Sequence, residues 1–208
     1  MQLATTSFED GGVIPARYAF AEAHPETKVT FAGNVNPQLS WTDVPDDTRS
    51  FAIICHDYDV PSVGDDVNQE GREVPADLPR VDFFHWVVVD LPRALRSVEE
   101  GEYSDGVVPR GQQVQRGVHG SRQGLNDYTG WFAGDADMAG NYFGYDGPAP
   151  PWNDSIIHHY VFTVYALDFY RTPVQGNFTG QEVREEIEGH VLAEARVEGT
   201  YTQNPRLL

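Results

Sequence analysis

The stretch 50-SFAIICHDYDVPS-62 carries the first reading of the fold. Its run "FAII" is apolar without alternating, which fits a strand buried on both faces. The strand then turns polar. Asp57 and Asp59 stand two residues apart, just before Pro61, where a chain leaves the core and enters a loop. Three more short runs rich in β-branched and aromatic residues read the same way: 28-KVTFAG-33, 82-DFFHWVVVDL-91 and 159-HYVFTVYALD-168. One segment, 179-TGQEVREEIEGHVLAEA-195, predicts a helix. Thr179 is placed as its N-cap, with Glu182 three residues on as in a capping box and an apolar stripe of Val183, Ile187, Val191 and Leu192. The sequence 199-GTY-201 then reads as a turn and a short final strand. The fold class is therefore mainly β: an antiparallel β-sandwich with a C-terminal helix and long ordered loops. The 208 residues suit a single domain, 1–208. The two longest connections, 63–80 and 104–155, are rich in turn-forming residues. Aromatic residues in the second argue that it is ordered.

Charge sets the next bounds. There are 32 acidic residues against 14 Lys plus Arg, a formal net charge of −18, and Lys28 is the only lysine. Such a field repels nucleic acid and anionic membrane surfaces. It also repels itself, except in concentrated salt, where the screening length falls to about 3 Å at 1 M. We read the acid excess and the near-absence of lysine as adaptation to a salt-loaded cytoplasm, as in halophilic archaea. No apolar run is long enough to span a bilayer. The start, 1-MQLATTSFEDGG-12, has no basic and apolar leader pattern, so a cytoplasmic location is expected. Cys55 is the only cysteine and sits in an apolar run, which points to a buried, inert thiol.

Several strand ends carry polar groups that a core does not call for. His85 lies between "FF" and "WVVV", and His158 and His159 open another strand directly after 145-YDGPAPPWND-154. A buried histidine needs a partner, because an unpaired buried polar group costs about 1–3 kcal/mol. On position alone, His85 reads as a satisfied core histidine. Asp59 reads either as a ligand group or as the cap of the turn before Pro61.

Motifs across the chain add a second line. "DYDVPS" is similar to the D-P-D-x-P signature of the phosphatidylethanolamine-binding proteins, and "HWVVVDLP" to their His-bearing central strand. "GLNDY" (124–128), "YDGPAPP" and "HHYVFTVYALD" resemble the N-D-aromatic, G-P-x-P-P and H-R-Y segments of the prokaryotic Raf kinase inhibitor-like subgroup. The matches run in order from about residue 30 to 201. The resemblance implies a β-sandwich with a small pocket for anions or phosphorylated headgroups and no cofactor. It also implies a site made of Asp57, Asp59, Pro61, His85, His158 and Tyr160, with Gly147, Pro148, Pro150 and Pro151 shaping one wall and Phe83 at the rim. Inhibition or regulation of a partner enzyme is implied by relatives only. The expected assembly is a monomer or a homodimer.

The chain departs from that pattern in four places. Tyr58 stands where the family has proline, His159 where the subgroup has arginine, and the loops 63–80 and 129–144 are long. The expected function is a non-enzymatic binding protein in which a protonated imidazole and loop N–H groups receive an oxyanion. The alternative is a metal-dependent hydrolase using the same Asp and His residues. Neither an H-E-x-x-H motif nor a Ser/His/Asp signature can be placed.

Overall fold

The computed structural model describes residues 1–208. Its eleven strands are β1 (Gln2–Ala4), β2 (Gly12–Val13), β3 (Ala21–His24), β4 (Lys28–Phe31), β5 (Leu39–Thr42), β6 (Ser50–Pro61), β7 (Arg80–Pro92), β8 (Ser97–Val98), β9 (Arg122–Gln123), β10 (His158–Leu167) and β11 (Val191–Tyr201). Six form one sheet in the order β2-β11-β10-β6-β7-β9, and β1, β5 and β8 form a second. The central strands β11, β10, β6 and β7 are all antiparallel neighbours.

The non-alternating run "FAII" is buried on both sides. Phe51, Ile53 and Cys55 face the three-stranded sheet in a core with Trp41, Trp86, Tyr145 and Phe162. Ala52 and Ile54 face the other way, into a smaller core with Val87, Val89, Phe178, Val183 and Ile187. The last two belong to helix α2 (Gly180–Ile187), which covers that face. Its capping box is the expected one: Thr179 accepts from the Glu182 backbone, and the Glu182 side chain accepts from the Thr179 backbone.

The helix is shorter than its apolar stripe predicts. It stops at Ile187, Gly189 takes a left-handed φ of +81°, and 191–201 become the long strand β11. "VLAEARVEGTY" pairs along the length of β10, from Leu167–Val191 to His158–Tyr201. Its exposure alternates at first, so Val191 belongs to a two-residue period and not to the helical stripe. The cross-strand ladder wins over the local helical pattern.

The four strands expected from the apolar runs are present with ends shifted by one to three residues, and the expected turn and short final strand at 199–201 are instead the end of the eleven-residue β11. The loop 104–155 holds only short pieces, a 3-10 turn at Val118–Gly120, β9 and the one-turn helix α1 (Tyr128–Trp131), and packs through aromatic residues. Tyr128 stacks on Phe20 at 4.5 Å and on Phe132 at 5.7 Å. The loop 63–80 is tied down chiefly by a side chain of the proline loop. Asn153 Nδ2 donates to the carbonyls of Asp66, Gln69 and Arg72, and Asn153 Oδ1 accepts from the Asn68 backbone. Val67 and Val74 are buried beneath it.

Candidate functional site

One end of the six-stranded sheet gathers the polar strand ends. Here β6, β7 and β10 finish under the loops 63–75, 128–132 and 145–154, with the β3–β4 hairpin alongside, and enclose a cavity of about 380 Å³. Of the ten expected residues, Asp57, Pro61, His85, Pro150, Pro151, His158 and Tyr160 line it. Asp59, Gly147 and Pro148 do not.

Asp57 is almost fully buried and lies beside a shift in the pairing of β6 with β7, between Asp57 and Val60. Such an irregularity re-aims a strand end. Its Oδ1 accepts the backbone N–H of Asp59 at 2.7 Å, and its Oδ2 faces His158 Nδ1 at 2.7 Å. The other ring nitrogen of His158 faces Asp154 Oδ2 at 3.0 Å. Carboxylates accept and do not donate, so both imidazole nitrogens must carry protons. Burial alone would lower the pKa of His158. The hydrogen bonds and charges of Asp154 and Asp57 outweigh it and hold the group up at about 9.

Asp154 is in turn gripped by Arg80, with Nη1–Oδ2 at 2.6 Å and Nη2–Oδ1 at 3.1 Å. Burial opposes ionisation of Asp154, but His158 and Arg80 together hold its pKa below the ordinary carboxylate value. Arg80 also donates to the carbonyls of Asp59 and Pro75, both at 2.8 Å. The result is a closed chain, Asp57–His158–Asp154–Arg80, with two formal charges of each sign. Neither N–H of His158 is left for a ligand. The expected role of His158 as oxyanion donor therefore has no free hydrogen behind it.

His85 is the group left open. Its Nδ1 lies 2.8 Å from the carbonyl of Asp146, so that nitrogen carries the hydrogen. Its Nε2 makes no hydrogen bond within the protein, and the residue lines the cavity. Burial lowers the pKa of His85, and the nearby charge of Asp57 offsets this only in part, so the ring is neutral and Nε2 is an acceptor. Beside it, at 5.1 Å between ring centroids, is Tyr160, whose buried hydroxyl makes no hydrogen bond. Burial, helped by the Asp57 charge, pushes the phenol well above its usual value, so it remains a donor.

Asp59 turns away from the cavity. Its Oδ2 accepts from the backbone of His159 at 2.9 Å and from His159 Nδ1 at 2.7 Å. Tyr58 stacks flat on the same imidazole at 5.4 Å. The two departures from the family motifs thus touch each other and form one surface clasp between β6 and β10.

Gly147 and Pro148 act one step back. A Cβ on Gly147 would meet the Tyr18 carbonyl at 2.0 Å, so only glycine fits that crossing. Asn34 holds the loop from beneath, accepting from the Gly147 backbone at 2.8 Å and donating to Asp146 at 2.8 Å. Asn126 donates to the other Asp146 oxygen at 2.8 Å. With no cation near, burial raises the pKa of Asp146 to about 7 despite those two hydrogen bonds. Arg80, Asp154, Asp146, Asn34 and Asn126 were not expected from the sequence.

Above the polar floor the lining is apolar, including Phe20, Phe31, Phe83, Trp131 and Phe132. Phe83, expected at the rim, is half-buried in the lining with its ring 5.0 Å from that of His85. Trp152 lies outside the lining, with Lys28 Nζ 5.6 Å from its ring. No three His, Cys, Asp or Glu residues are grouped so as to hold a metal ion. No helix is long and apolar enough to cross a membrane.

Comparison with known proteins agrees with the fold. A UPF0098 protein of Methanothermobacter thermautotrophicus is 33% identical over 202 residues, covering 97% of this chain and 98% of the relative. YbhB of Escherichia coli, also a UPF0098 protein, is 29% identical over 203 residues, covering 97% of this chain and all of the relative. The crystal structure of E. coli YbcL superposes with a TM-score of 0.68 at 24% identity, over 97% of each chain. That of CT736 from Chlamydia trachomatis, a PEBP homologue, gives 0.62 at 26% identity over 96% of this chain and 95% of that one. The family model described as phosphatidylethanolamine-binding protein matches residues 4–202, and this chain belongs to that family.

Proposed function

We propose that this chain is a non-enzymatic binding protein that receives the head of a small oxyacid, phosphoryl or carboxyl, on the floor of the cavity. The observation that carries the reading is a free polar group on a buried floor: the His85 Nε2 acceptor, whose partner nitrogen is held by the Asp146 carbonyl. Buried polar groups without partners are costly, and a ligand hydroxyl satisfies this one. Convergent polar groups under an apolar collar are the usual build of a small-molecule site.

The reading as a binder and not a catalyst rests on what lines the cavity. No Ser, Thr, Cys or Lys is there to act as a nucleophile. The carboxylates and imidazole that a metal-dependent hydrolase would use are already bound to one another.

Calorimetric titration with acetate and inorganic phosphate in molar KCl tests the proposal. His85→Ala removes the open acceptor and should weaken binding by about 1–3 kcal/mol. If that variant binds every probe as wild type does, the cavity floor is not the site.

A further inference from the structure

We infer that the cavity takes up one proton with its ligand, and that the class it fits is an un-ionised carboxylic acid carrying an aryl or branched alkyl body. The inference rests on the binding role proposed above and names the ligand class for it.

The charge count at the floor comes first. Its cations are His158 and Arg80, and each is held by Asp57 or Asp154. Both His158 N–H groups are engaged. The Arg80 terminal nitrogens donate to Asp154 and to two carbonyls, and Arg80 is not part of the lining. No lysine lines the cavity. Pro148, Pro150 and Pro151 have no N–H to offer. The whole molecule carries −18. A phosphate dianion entering here would lose its hydration and meet no free cation, which is the costly case for a buried charge.

The open acceptor then selects the head. His85 Nε2 is the free imidazole nitrogen on the floor, whereas the Tyr160 hydroxyl has no exposed surface and the Gln203 and Asn68 amides lie elsewhere in the lining. A carboxylic acid meets this acceptor by giving its O–H to Nε2. The shared proton can sit on the acid or on the imidazole. Either way the complex holds one proton more than free carboxylate and neutral His85. The groups facing that proton are Asp57, His158, Tyr160 and Tyr128 from the lining, with Asp146 behind the ring.

The body follows from the collar. Phe31 and Trp131 keep 56% and 53% of their surface exposed at the rim of an acidic protein, and Phe20, Phe83 and Phe132 lie deeper. About 380 Å³ lies within the range of sites for ring-bearing ligands, roughly 300–1,000 Å³.

The experiment is calorimetric titration of the full chain in molar KCl with benzoate, acetate and inorganic phosphate. It is run at pH 5.5 and 7.5, in two buffers of different ionisation enthalpy. The expected order is benzoate, then acetate, then phosphate. Benzoate affinity should fall between the two pH values, by up to tenfold per unit for one proton taken up. Trp131→Ala should weaken benzoate more than it weakens acetate. Phosphate as the tightest probe, or benzoate binding without proton uptake, would overturn the inference while leaving the binding site in place. Failure of all three probes to bind at either pH would remove the site itself, and the inference with it.

Discussion

Replacing His158 with alanine should destabilise the fold by about 3–5 kcal/mol, the usual scale for removing one partner of a buried ion pair. The side chain is fully buried between Asp57 and Asp154, whose own side chains are 2% and 1% exposed. Alanine leaves two carboxylates buried with only Arg80 to compensate one of them. The same group makes stability depend on pH. The folded pKa of about 9 lies above the ordinary histidine value of 6.5, so the imidazolium contributes fully below pH 6.5. Its contribution is lost as pH rises through about 9. The total is about 3 kcal/mol, at about 1.4 kcal/mol per pKa unit. Denaturant unfolding at pH 6, 7.5 and 9, in molar KCl, measures both effects. Wild type should lose stability across that series, and His158→Ala should lose much less. A wild type that is flat from pH 6 to 9, with an alanine variant within 1 kcal/mol of it, would contradict the buried charge chain.

Salt should have an effect of similar size on the whole molecule. With 32 acids, 14 Lys plus Arg and a net charge of −18, repulsion is spread over the surface. Only some of the cations are paired, as in Arg17–Glu100, Arg72–Asp66 and Arg206–Glu73, and these pairs are exposed. Exposed pairs contribute about 0–1 kcal/mol each and are themselves screened. The dominant effect of salt is therefore relief of repulsion, and the melting temperature should rise steeply between dilute buffer and molar KCl. The core ion pairs, Arg80–Asp154 and His158–Asp57, are too buried for added salt to weaken them in parallel. A melting temperature that is flat or falls over that range would remove the reading of this chain as salt-adapted.

What the sequence made legible follows from the range of the forces involved. The strands could be read because burial on both faces leaves runs such as "FAII" and "VVV" in the residues themselves. The N-terminus of α2 could be read because a capping box is a local device. Its end could not, since Val191 and Leu192 fit a helical stripe as well as a strand, and the choice is made by β10, more than twenty residues away. The family motifs located the site, but not who holds whom within it. Asp57 and His158 stand 101 residues apart, and their pairing could be guessed from type. Asp154, four residues before His158, looked like one more acid in a turn-rich loop. Arg80 looked like the end of a linker. Only the folded chain shows that these two close the circuit and occupy the second nitrogen of His158. Asp59 kept two readings in the sequence. The structure places it on His159, a partner that the motif comparison had marked only as a departure.

The central claim is that His85, and not His158, meets the ligand. It is tested most directly by nitrogen NMR of histidine-labelled protein titrated with benzoate at pH 6 in molar KCl. Before ligand, His85 should show one protonated nitrogen, Nδ1, and one bare nitrogen, Nε2, while His158 shows two protonated nitrogens. Saturation should shift His85 Nε2 toward the hydrogen-bonded or protonated position and leave both His158 signals in place. A titration that moves the His158 nitrogens and leaves His85 unchanged would contradict the account.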